Sequence, residues 1–77
     1  MLTTGWQLAA ARALVGMDQV TLADKAGLSA NTIRNMEAVK GAPIAGRAAN
    51  VQAVQKVLEQ AGVEFLNHGR PGVRMRG

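Results

Sequence analysis

The chain has 77 residues, enough for one domain near the lower size at which a single hydrophobic core suffices without staples. It contains no cysteine and one histidine, His68, which excludes disulfides, thiolate metal sites and a histidine cluster, so neither metal nor cofactor is expected. Nine Lys and Arg against five Asp and Glu give a formal charge of +4 and a pI near 10.8, which suits a polyanionic partner, and no stretch approaches the roughly 20 apolar residues of a membrane span.

The opening "MLTTGWQLAA" has no basic segment followed by a long apolar run, so a cytoplasmic location is expected. From about Thr4 to Val15, the residues Leu8, Ala11, Arg12 and Val15 recur at i, i+3, i+4 and i+7 and predict a helix that Thr3 or Thr4 can cap. Gly16 ends it. A second start follows at Gln19, where Val20, Leu22, Ala23 and Ala26 predict a helix of about two turns. Gly27 suits the left-handed position beyond its end, and Ser29 suits the N-cap of a third helix. In that helix Ile33 and Met36 share one face, while Ala30, Asn31, Arg34 and Asn35 fall on the other. After Val39, "KGAPIAG" is a Gly and Pro loop that cannot continue the helix. "RAANVQAVQKVLEQAG" then predicts a fourth helix through Val51, Val54, Val57 and Leu58, with Gly62 as terminator. The expected core is Leu8, Val15, Leu22, Ala23, Ala26, Ile33, Met36, Val51, Val54 and Leu58.

Beyond Gly62 the period changes. Val63 and Phe65 alternate with Glu64 and Leu66, "NHGRPG" supplies turn residues, and Val73 and Met75 alternate with Arg74 and Arg76, so a short β-hairpin or an extended arm is predicted. The division is therefore a helical domain over residues 1–62 and a β-like segment over 63–77. From Phe65 onward Arg70, Arg74 and Arg76 occur without an acid, a pattern equally suited to a solubilising tail and to a nucleic-acid contact.

Two helices joined by a tight glycine turn, the second with a small and polar outer face, form a helix-turn-helix unit, whose second helix enters the DNA major groove. The stretch from Leu8 to Glu37, around "AAARALVGMDQVTLADKAGLSANTIRNMEA", carries Arg12 in the first helix, Gln19 opening the second, Leu22 and Ala23 within it, Gly27 in the turn, and Ile33 and Glu37 in the third. In these residues the chain resembles the lambda-repressor and Cro-like group, the XRE-type regulators. "GVEFLNHGRPGVRMR" resembles the ending of a bacterial subgroup of small regulators.

The resemblance implies an all-α four-helix fold, a homodimer and a palindromic double-stranded DNA operator. It implies a structural ion pair between Arg12 and Glu37, and a phosphate contact by Gln19 at the start of the second helix. Ser29, Ala30, Asn31, Thr32, Arg34 and Asn35 correspond to groove-facing positions. Asn can pair bidentately with adenine and Arg with guanine, and Ala30 or the Thr32 methyl can touch a thymine methyl. A merely solvated face is the plain alternative. Lys40 and Arg47 bracket the Gly and Pro loop and could clamp the DNA backbone. Val63, Phe65, Leu66, Val73 and Met75 are expected at a dimer interface, with folding back on the chain's own helices or a mobile basic arm as competing readings. Trp6, one of two aromatics, is expected to pack beneath the first helix or at a subunit seam rather than to stack on bases.

Enzyme chemistry is not expected, because the sequence offers no glycine-rich phosphate loop and no pair of carboxylates close in sequence with distinct acid and base roles. Two functions remain. One is a dimeric transcriptional repressor, and the other is the antitoxin of a toxin–antitoxin pair, which would bind a protein toxin as well as its operator.

Overall fold

The computed structural model describes residues 1–76. The elements follow as α1 (Gly5–Val15), α2 (Gln19–Ala26), α3 (Ala30–Ala38), α4 (Ala48–Gln60), β1 (Val63–Leu66) and β2 (Gly72–Met75). The first three helices each begin on a side-chain cap. Thr4 accepts from the Gln7 N–H while the Gln7 side chain accepts from the Thr4 N–H, a reciprocal capping box. Asp18 and Ser29 accept from the Thr21 and Thr32 N–H groups. The Thr21 N–H holds the Asp18 carboxyl below the ordinary carboxylate range, so this cap contributes above the unfolded-state pKa and is lost as pH falls through the folded value. Gly16 and Gly27, at φ 69° and 71°, close α1 and α2 in the left-handed conformation that glycine adopts without steric cost.

Leu8, Leu22, Ile33, Val54, Leu58 and Val63 are fully buried, and Leu2, Ala11, Ala23, Met36 and Phe65 complete the core. Val15, Ala26 and Val51 pack at its margin, less buried than their helical spacing predicts. The close approach of α1 to the end of α3 depends on Gly5. A Cβ there would stand 2.7 Å from the Glu37 carbonyl oxygen and 2.9 Å from the Lys40 amide nitrogen. Both are backbone atoms and cannot swing aside. The N-terminal residues are held in turn by the loop after α3. The Ile44 N–H donates to the Thr3 carbonyl at 2.8 Å, and the Leu2 N–H donates to Gln55 Oε1 on α4 at 3.0 Å.

Of the two C-terminal alternatives, the chain adopts the hairpin. The strands pair antiparallel in the register Val63↔Met75, Glu64↔Arg74, Phe65↔Val73 and Leu66↔Gly72. It is not a separate body. Val63 is 0% and Phe65 9% exposed within the same core cluster as the helices, so the division at residue 62 separates two kinds of backbone and not two packing units. This also corrects the expected dimer surface. Val63 and Phe65 have no area left to bury against a second chain, Leu66 and Val73 are half-buried, and Met75 alone of the five is substantially exposed.

One buried polar side chain connects hairpin to helices. Gln7, 2% exposed, accepts through Oε1 from the Thr3 and Thr4 N–H groups and donates through Nε2 to the Leu66 and Gly72 carbonyls, both at 3.2 Å. Gln7→Ala would leave these groups buried without partners, a penalty of roughly 2–4 kcal/mol. Denaturant unfolding should show that loss, and the amides of β1 and β2 should exchange faster with solvent; an unaltered midpoint would mean that apolar packing alone holds the hairpin.

Candidate nucleic-acid interface

The Arg12 guanidinium reaches from α1 to the end of α3. Its Nε lies 2.5 Å from Glu37 Oε2, its Nη2 donates to Glu37 Oε1 at 2.9 Å, and its Nη1 donates to the Met17 carbonyl at 3.0 Å. These bonds to Glu37 raise the Arg12 pKa above its ordinary value, against the opposing effect of burial. Gln19 joins the same node, because its Nε2 donates to Glu37 Oε1 at 3.2 Å. The expected phosphate contact by Gln19 is altered accordingly. One of its two amide hydrogens is committed to Glu37, and the neighbouring α2 terminus already carries the Asp18 carboxylate, which disfavours a second anion.

α3 turns Ile33 and Met36 into the core and leaves Asn31, Arg34 and Asn35 in solvent. These three lie at i, i+3 and i+4, so they form one face. Arg34 Nη1 donates to Asn31 Oδ1 at 3.3 Å, which links two of them. Ser29 is exposed and shares a hydrogen bond of 2.9 Å with the Thr32 hydroxyl. Ala30 departs from the expected outer face: it is half-buried and packs against the core, because the first turn of α3 leans on α2. Thr32 is half-buried as well.

Thr32, Asn35, Met36 and Val39 line one side of a shallow groove whose other side is Ala45, Gly46, Arg47 and Asn50. Arg47 is thus brought beside α3 from the far end of the loop. It is the N-cap residue of α4, a helix that begins without a side-chain cap and without an acid in its first turn. That end carries unneutralised positive dipole next to an arginine. Asn50 was not among the residues singled out from sequence. The signal that could have found it is its place one turn after Arg47, on the side of α4 nearest the loop.

Lys40 is exposed immediately beyond α3 and adopts φ 55°, the left-handed region that a lysine rarely occupies. Its carbonyl accepts from the Trp6 N–H at 2.9 Å. Trp6 itself does not pack beneath α1. It is 64% exposed and rests against Gly41, in a surface depression completed by Thr4, Arg70 and Pro71. Among the described residues no group of His, Asp and Glu could hold a metal ion, and no helix is long and apolar enough to cross a membrane. The chain matches no family model and no curated protein.

The Arg12 and Glu37 side chains retain 21% and 12% of their exposure, so the pair is shielded without being fully dry. Arg12→Ala should lower stability by about 2–3 kcal/mol, less than for a wholly buried pair, since Glu37 regains some water. Thermal melting measures it, and a midpoint equal to that of the parent chain would remove the pair from the list of what holds α1 to α3.

Proposed function

We propose that the chain is a sequence-specific double-stranded DNA-binding regulator, a dimeric repressor of the lambda-repressor and Cro-like kind. In this reading α2, the Gly27 turn and α3 are the helix-turn-helix, and α3 lies in the major groove. The observation that carries the reading is the face of α3. Asn31, Arg34 and Asn35 stand exposed and free of any acid on a short helix whose opposite side is locked into the core. Amide and guanidinium groups at that spacing have the donors and acceptors to read adenine and guanine edges. Lys40 and Arg47, with the open N-terminus of α4, suit the phosphates on either side, where contacts position the protein and carry no sequence information. Gln19 then acts mainly by fixing Glu37, with its remaining N–H free for a phosphate.

Duplexes selected from a random pool should yield an enriched two-fold site, bound far more tightly than random duplex and with an affinity that falls steeply with salt. Asn31→Ala and Asn35→Ala should each change the preferred bases and cost about 1–3 kcal/mol at one position. Uniform weakening across all sequences by both variants would refute a base-reading role for this face.

Lys40 permits a separate test. Glycine would relieve the left-handed backbone while removing the charge, so Lys40→Gly should leave the melting midpoint equal or higher yet lower affinity for every duplex and reduce the salt slope by about one unit. Unchanged affinity at low salt would take Lys40 out of the interface.

One feature favours the antitoxin as a second reading. Tryptophans are enriched at protein contacts, and Trp6 stands exposed in a depression lined by Thr4, Gly41, Arg70 and Pro71, none of them a residue of α3. A quench of its fluorescence by a protein expressed from an adjoining reading frame, and not by DNA, would support that partner.

A further inference from the structure

The two strands of the hairpin differ in what their outer edges face. The Arg76 N–H donates to the Gly62 carbonyl at 2.7 Å, which makes Gly62 and Arg76 a hydrogen-bonded pair in the same register as the strands. Hydrogen-bonded and non-bonded pairs alternate in an antiparallel ladder, so Glu64↔Arg74 and Leu66↔Gly72 are also bonded. The N–H and C=O groups of Val73 and Met75 therefore point away from β1, and among the described residues no other group meets them. Burial falls from one strand to the next. On the core face, Val63 and Phe65 are covered, whereas Val73 is half-buried and Met75 is 42% exposed. Leu14, on the helix that packs against β2, is 46% exposed.

We infer that the outer edge of β2 is completed by β2 of a second copy, running antiparallel and centred on Arg74, so that two hairpins merge into one four-stranded sheet. This deepens the dimeric reading above by assigning the interface and its register.

Three arguments lead to that register. A two-fold axis at Arg74 pairs Val73 with Met75 of the partner subunit and Met75 with Val73 of the partner subunit, so every free edge group of both residues acquires a ladder bond. An axis at Val73 would set Met75 opposite Pro71 of the partner subunit, which has no N–H to give. Charge also permits it. The centred register brings Arg74 opposite Arg74 of the partner subunit, yet each arginine is already paired across its own hairpin with Glu64, so the row has two central bases flanked by two acids and no net charge. Finally, the apolar groups match. With the axis perpendicular to the sheet, the half-covered Val73 and Met75 of both copies fall on one face and cover each other, while both helical bodies remain on that same side. The edge itself carries no inward charge, bulge or proline within Gly72–Met75 that would prevent such pairing.

The test uses the full chain without DNA, so that its outcome is independent of whether the chain reads an operator. Sedimentation should show a dimer at micromolar concentration. Met75→Pro deletes an outward N–H without touching the β1–β2 ladder, and it should give a monomer with unchanged helical circular dichroism. Because the natural chain has no cysteine, Arg74→Cys provides a second measure. A residue paired with itself across a non-bonded position has the Cβ separation a disulfide needs, so mild oxidation should crosslink it at least tenfold faster than Arg47→Cys, a surface control. A monomeric parent chain would overturn the proposal. So would a dimer in which Arg74→Cys crosslinks no faster than the control, whatever the behaviour of Met75→Pro.

Discussion

The Arg12 guanidinium donates to both oxygens of Glu37 and to the Met17 carbonyl, and Gln19 adds its amide to the same carboxylate. Four parts of the chain meet at this one cluster: the last turn of α1, the turn after it, the start of α2 and the last turn of α3. Short helices of eight to eleven residues are marginal on their own and take their orientation from what they pack against. Apolar contacts between them are non-directional and would tolerate a range of crossing angles. A planar fork with two fixed acceptors does not, so the pair sets the angle at which the face of α3 is offered to solvent. Its net contribution to stability is modest compared with the core. Its contribution is directional, which an apolar contact alone is not.

Gln7 performs the corresponding task at the other end of the molecule. It closes the cap of α1 with its oxygen and carries the hairpin with its nitrogen, so a helix start and a sheet end share one amide. The two nodes are independent: one uses charge near the surface, the other uses neutral groups in a place from which water is excluded. Between them lies the Gly5 contact, where α1 touches the end of α3 backbone to backbone and where no side chain has room. The exposed polar face of α3 is thereby braced from behind by elements that never approach it from the solvent side.

Much of this was legible in the sequence because the cues are local. Caps at Thr4 and Ser29, glycine stops at Gly16 and Gly27, helical spacing through Leu8 and Leu22, and the change of period after Gly62 each express a rule about the nearest few residues. What escaped were effects that depend on distant parts of the chain. Gln7 reads as one more polar residue on an amphipathic helix until Leu66 and Gly72 arrive beside it. Leu2 stands before the first cap with no neighbours at helical spacing, so nothing marked it as core. The alternation of Val63 and Phe65 looks the same whether those residues meet the chain's own helices or a second copy, and only their packing within the single chain's core shows that they meet its own helices. Ala30 lacks any side-chain preference for core or solvent, and its position followed from how α3 leans on α2. At the candidate interface, Asn31, Arg34 and Asn35 could be grouped from spacing alone, whereas the approach of Arg47 and Asn50 to α3 required the path of the loop.

The reach of Gln7 across more than fifty residues has a consequence for the order in which the chain matures. During synthesis the amino-terminal helix emerges first, with an amide whose partners have not yet been made. The helices can form and collide early, since their contacts are mostly between neighbours in the chain and such contacts close fast. The buried amide stays in water until β2 emerges from the ribosome, and only then can the interior be sealed. Closure of the fold therefore waits for the emergence of β2. A nascent chain stalled before Gly72 would hold loosely assembled helices with Val63 and Phe65 at hand but nothing to fasten them.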